Sequence, residues 1–172
     1  MASDIGMLIL RVFVGLQLAS HGAQKLFGWF GGHGLEGTGG FFEGLGFKPG
    51  RHFALAAGAG ELGGGLLLAL GLLTPFAAAA IVAVMLTAIA VVHADKGFFA
   101  TEGGFELPLL LAVSAVCITF VGPGAVSLDH AFGWNLSGWM WGVIGAALGV
   151  LGAVASLVLR GIGHRAGERA SA

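Results

Sequence analysis

Long apolar runs separated by short, glycine-rich polar loops dominate this chain. The runs cover about Ile5 to Phe27, Phe53 to Leu73, Pro75 to Val92, Phe105 to Val121 and Gly138 to Leu159. A stretch of roughly 20 apolar residues is long enough to cross the hydrocarbon core of a bilayer as a helix. Five such runs predict an all-α fold, a polytopic membrane helical bundle. The first run is preceded by Asp4 and by no lysine or arginine. That is a poor start for a cleaved signal peptide, so the run is expected to stay as a permanent span.

Small residues recur within the runs at spacings that let helices touch. Gly15 and Gly22 lie seven apart, on nearly one helical face. Ala56, Gly60 and Gly64 form a small-xxx-small ladder, and Gly138, Gly142, Gly145, Gly149 and Gly152 form another. Thr74-Pro75 marks a tight turn, with Pro75 opening the third span. The loop from Trp29 to Phe53 is too broken for a span. Its Trp29, Phe30, Phe41, Phe42 and Phe47 suit a short interfacial or re-entrant segment. Gly-Phe-Phe occurs at Gly40 to Phe42 and again at Gly97 to Phe99. This reads either as a weak repeat of two hairpins or as coincidence in a chain rich in both residues.

Composition narrows the class. Of 172 residues, 56% are hydrophobic and 10% charged, which excludes a disordered chain. A net charge of −1 gives no reason to expect a nucleic-acid partner. Cys117 stands alone, so dithiol chemistry within the chain is excluded. With five spans, Lys25, Lys48, Arg51, Lys96, Arg160, Arg165 and Arg169 all fall at one face of the membrane. The positive-inside rule then places the N-terminus outside and the C-terminus in the cytoplasm.

The candidate chemistry sits at that basic end. Glu61 is an acid inside an apolar span, and intramembrane ionisable groups are functional by default. By the helical rise it lies ~12 Å in from Phe53, and His21 lies ~9 Å in from Phe27. A His-Glu or Lys-Glu contact across the first two spans is therefore reasonable. His21, Lys25, His93, Asp95, Glu102 and Glu106 gather at the same end. Glu61 and His21 are the candidate catalytic pair. Arg11, Lys25, His93, Phe98 and Glu106 are candidate ligand-binding residues. Each has a plainer reading: Glu61 as a helix-to-helix hydrogen bond, Arg11 as a snorkelling anchor, the phenylalanines as interfacial anchors. Arg11 and Lys25 are ~21 Å apart along the axis and cannot hold one small group. His21 and His93 could in principle ligate a haem, but two histidines are thin support. No metal site is expected, since no HxxxH or cysteine cluster occurs. A polar pocket at one end of a helical bundle suits an amphipathic ligand with a lipid-soluble tail. Quinone fits that description, and so do several lipids.

At these same residues the chain resembles the DoxX family of small bacterial membrane proteins. The likeness rests on Arg11, His21-Gly22, Lys25-Leu26-Phe27-Gly28, Glu61-Leu62, Gly71, Thr74-Pro75 and His93. It continues through Gly97-Phe98-Phe99, Gly103-Gly104, Glu106, Gly122-Pro123-Gly124 and Ser127-Leu128-Asp129. The resemblance implies a four-helix membrane core, set here at residues 1–133, in a bacterial plasma membrane. A fifth helix at 134–160 and a polar cytoplasmic tail at 161–172 depart from that pattern, and the extra helix is expected to serve assembly. The resemblance also implies kinship with DoxD, the membrane subunit of a thiosulfate:quinone oxidoreductase, and links to sulfur metabolism and oxidative-stress defence. The expected function is a quinone-interacting subunit that depends on a partner chain, with soluble redox enzymes as partners. The alternatives are a non-catalytic membrane scaffold and a small-solute or lipid carrier. The small-residue faces leave room for a homo-oligomer.

Overall fold

The structure, a computed structural model, describes residues 1–170, with side chains described through residue 163. Among these residues there is no strand, and seven α-helices follow in order. They are α1 (Ala2–Phe27), α2 (Gly34–Gly44), α3 (Gly50–Leu70), α4 (Thr74–Ala88), α5 (Glu106–Val121), α6 (Leu128–Ala131) and α7 (Trp139–Ala170). The protein is an all-α membrane bundle. Among the described residues, four helical stretches are long and apolar enough to cross a bilayer: Ala2–Phe27, Gly50–Leu70, Thr74–Lys96 and Trp139–Gly163. The fourth predicted span, α5, is apolar but has only 16 residues. At the helical rise that is ~24 Å, short of the ~30 Å core. The polar tail expected from residue 161 begins as helix, because α7 continues to Ala170. The end of that tail lies outside the described residues.

Backbone contacts set the order of packing. The antiparallel pair α1 and α3 comes into backbone contact at its glycines. A Cβ added to Gly15 would overlap the backbone of Gly65 and Ala69, and one added to Gly22 would overlap Gly58 and Leu62. These glycines therefore permit a helix approach that alanine would prevent. The ladder Gly60 and Gly64 faces the other way, onto Val84 and onto Ala77, Ala80 and Ile81 of α4. Helix α4 is apolar on every side, as a central helix should be. It is surrounded by α3, α5 and α7. Its Ala77, Ala78 and Ile81 are fully buried with Leu18, Leu68, Ala115 and Ile118. The glycines of α7 carry it onto α4, with Gly145 against Pro75, Gly149 against Val82 and Gly152 against Ala83. The fifth helix is thus a layer of the same bundle.

Hydrogen bonds tie both ends together. At one end Arg160 of α7 donates from Nε to the Leu45 carbonyl at 2.7 Å and lies over the Phe47 ring. At the other, the Ala125 amide donates to Asp4 at 3.1 Å. Helix α7 therefore reaches the end of the bundle that carries the α1–α3 connection. Lys25, Lys48, Arg51, Lys96 and Arg160 share this basic end. The apolar side chains that remain exposed, such as Phe13 and Leu16 on α1 and Leu151 and Val154 on α7, form the surface a bilayer would cover. The two Gly-Phe-Phe stretches are not equivalent. The first lies within α2, and the second is non-helical around Gly97 at φ +79°.

Candidate functional site

Glu61 sits on the face of α3 that meets α1, one helical turn from Gly58 and Gly65. Those glycines bring α1 so close that Lys25 needs no reach across solvent. Its Nζ lies 2.5 Å from Glu61 Oε2. The Glu61 side chain is 4% exposed and that of Lys25 27%. Such an arrangement satisfies a buried carboxylate, which would otherwise be strongly unfavourable in an apolar interior. Lys25 also keeps one edge open to a second, shallower hollow of about 370 Å³ beside Gly32, His33 and Thr38.

The pair lines a cavity of about 420 Å³. Phe41 and Phe42 of α2, with Leu45 just beyond that helix, roof it, and Phe53, Ala56 and Gly60 of α3 form one wall. Ala80, Ala83, Val84 and Thr87 of α4 form another, and Gly152 and Ser156 of α7 close it. His93 also lines it, at the end of a π-turn that extends α4 from Ile89. A π-turn moves the helix register by one residue and is common at functional sites. His93 Nδ1 donates to the Gly103 carbonyl at 2.6 Å. A carbonyl only accepts, so Nδ1 carries the proton in this contact. The volume falls within the range of small-molecule sites, and the walls are apolar with a few convergent polar groups.

The structure brings together three of the seven predicted site residues, Glu61, Lys25 and His93. His21 lies one turn before Lys25 on α1, within electrostatic range of Glu61, but does not line the cavity. Glu106 is exposed, and its Oε2 accepts from the Ala100 amide at 2.9 Å. It shapes the loop before α5. Phe98 is 47% exposed and packs edge-on against Phe99 and Phe105 in the same loop. Arg11 lies at the opposite end of the bundle. It is 2% exposed, and its two terminal nitrogens donate to the carbonyls of Ala69 and Val126. It ties helices together there and does not snorkel.

Sequence reasoning missed Thr87, Gly152 and Ser156, all in the cavity wall. It quoted Asp129 without assigning it a role; the residue is 1% exposed and receives hydrogen bonds from the amides of Leu73 and Thr74 and from Thr74 Oγ1. Asp129 caps the start of α4, two residues after Ser127, whose hydroxyl accepts from the His130 amide. The Ser-Leu-Asp spelling was the available signal. Among the described residues there is no group of three or more His, Cys, Asp or Glu side chains placed to hold a metal.

Comparison with known proteins gives a family and two relatives. The model of the DoxX family matches residues 6–94. An "Uncharacterized protein" of Haemophilus influenzae is 30% identical over 130 residues, covering 74% of this chain and 83% of its own length. A Bacillus subtilis protein named "Putative oxidoreductase CatD" is 30% identical over 126 residues, covering 73% of this chain and 86% of its own length. No solved structure matches.

Proposed function

The chain belongs to the DoxX family, and from the cavity at Glu61 we propose that it is a quinone-interacting membrane subunit of an oxidoreductase. The observation that carries this reading is the Lys25–Glu61 pair set into an otherwise apolar cavity of about 420 Å³ inside a membrane bundle. The oxidoreductase name of the Bacillus subtilis relative supports the redox half of the reading.

The residues present fit a quinone head. Lys25 offers ammonium hydrogens to a carbonyl oxygen, and aromatic and aliphatic side chains cover a ring and the start of a tail. A quinone held there would supply the acceptor for two electrons and two protons. The electrons come from a sulfur compound or from a soluble partner enzyme, which is oxidised in step. Glu61 holds one of the protons and passes it at its carboxyl oxygen, within hydrogen-bond reach of Lys25 Nζ. His93 offers a second exchangeable site at Nε2. Proton transfer from a positioned side chain of this kind contributes about 10²–10⁴-fold to a rate. Phe41, Phe42 and Leu45 would cover one side of the ring. The basic end, with the C-terminus, faces the cytoplasm of a bacterial plasma membrane, where soluble partners would dock.

The test is extraction of the purified protein with organic solvent and identification of its lipid-soluble content. Quinone bound by the wild type, and lost from the Lys25→Met/Glu61→Leu double variant, supports the proposal. No quinone in the wild type, or equal quinone in both, overturns it.

A further inference from the structure

The wall of the cavity that faces α1 and α3 comes from a part of the chain outside the matched segment 6–94. Helix α7 packs along α4 and α5, and the cavity lies between it and α3. Register follows from the glycine contacts. Gly152 meets Ala83, so Ser156 and Thr87 each lie one turn further, about 6 Å, toward the basic end. Gly60 meets Val84, which sets Glu61 close to the level of Ala83. Ser156 therefore stands across the cavity from the ion pair and about one turn nearer the roof.

The two wall hydroxyls differ. Thr87 Oγ1 donates to the Ala83 carbonyl at 2.8 Å, the usual way a membrane helix satisfies such a group. Ser156 makes no such bond among the described residues, although it lines the cavity. A hydroxyl in an apolar wall is unfavourable until something bonds it. The cavity thus has a donor and acceptor on one side, at Lys25 and Glu61, and a hydroxyl with free bonding capacity on the other.

We propose that Ser156 is a specificity-determining residue, donating to a second polar atom of the ligand while Lys25, held in place by Glu61, donates to the first. This rests on the reading of the cavity as a quinone site. A ring with two opposed carbonyls satisfies both walls. A ring with a single polar end leaves the serine unpaired, and sites that bond a polar group discriminate against analogues that lack it. Helix α7 then completes the ligand site in addition to packing the bundle.

The experiment is equilibrium binding to the full chain in lipid nanodiscs, with a short-chain alkyl benzoquinone and with the matched ring carrying one carbonyl. Wild type is expected to prefer the dicarbonyl ring. Ser156→Ala is expected to weaken its binding about 3- to 10-fold, the range of one neutral hydrogen bond, and to leave the monocarbonyl ring unchanged. Ser156→Phe, which fills the space beside Gly152, is expected to abolish binding of both while the helical spectrum is retained. An unchanged preference in Ser156→Ala, or binding unaffected by Ser156→Phe, overturns the proposal and leaves the quinone reading standing. Failure of the wild type to bind either ring overturns both.

Discussion

Lys25 and Glu61, 36 positions apart, meet at 2.5 Å inside the bundle, one from each helix of its most closely packed pair. Their contact depends on glycine, since side chains on the α1–α3 seam would hold the helices too far apart. The polar centre of the site and the close packing of the fold are thus the same feature.

Removing one partner should therefore be worse than removing both. Lys25→Met leaves the Glu61 carboxyl buried without its cation, at a cost of about 3–5 kcal/mol. The Lys25→Met/Glu61→Leu double variant should recover most of that. Thermal unfolding midpoints of the three proteins in one detergent check this. A double variant as unstable as the single would mean that the pair is not coupled.

The seam itself can be tested at Gly22. Gly22→Leu places a side chain into the backbone of Gly58 and Leu62. Folded yield and monodispersity on size exclusion should collapse, whereas Gly6→Leu, where a Cβ meets nothing, should be near neutral. Equal yields from both would contradict the close approach of α1 and α3.

Arg11 and Asp129 serve the fold at the opposite end. Arg11→Leu removes two hydrogen bonds to backbone carbonyls that link α1 to the end of α3 and to the loop at Val126. Asp129→Ala uncaps α4. Each should cost roughly 2–4 kcal/mol, as loss of buried charged hydrogen bonds does. Neither should alter ligand affinity in the surviving folded fraction, because both lie outside the cavity. A selective loss of binding without loss of stability would move the site.

The roof is held by Arg160. Arg160→Ala removes the bond to the Leu45 carbonyl and the contact with the Phe47 ring. Hydrogen exchange across α2 should quicken about 5- to 30-fold, equivalent to 1–2 kcal/mol. Unchanged protection in Gly34–Gly44 would show that α2 is held by other contacts.

Orientation is open to labelling. In a Cys117→Ser background, Trp134→Cys should react with an impermeant maleimide on intact cells. Lys96→Cys should react only after permeabilisation. The reverse pattern would invert the orientation taken from the positive-inside rule.

Much of this was legible in the sequence because membrane chains obey few rules. Apolar length gave the helices, and the alternation of passes put Lys25, Glu61 and His93 at one end. Gly15 and Gly22 announced a packed face. The rest depended on rotations about helix axes, which such patterns leave free. Ladder residues Gly60 and Gly64 turned to α4, while Gly58 and Gly65, outside the ladder, met α1. Arg11 found carbonyls 58 and 115 positions away. Glu106 and Phe98 shared the right end but closed their own loop. Ser156 gave no local signal, because its place in the cavity is decided by the register of α7 on α4.

The most direct test of the central claim is photolabelling with a quinone that carries a photoreactive group on its ring, followed by peptide mapping. Labels should fall on residues 53–61 and 80–93, and excess unlabelled quinone should suppress them. Labels confined to the outward faces of α1 and α7, around Phe13 and Val154, and indifferent to competition, would contradict a head-group site at Lys25 and Glu61.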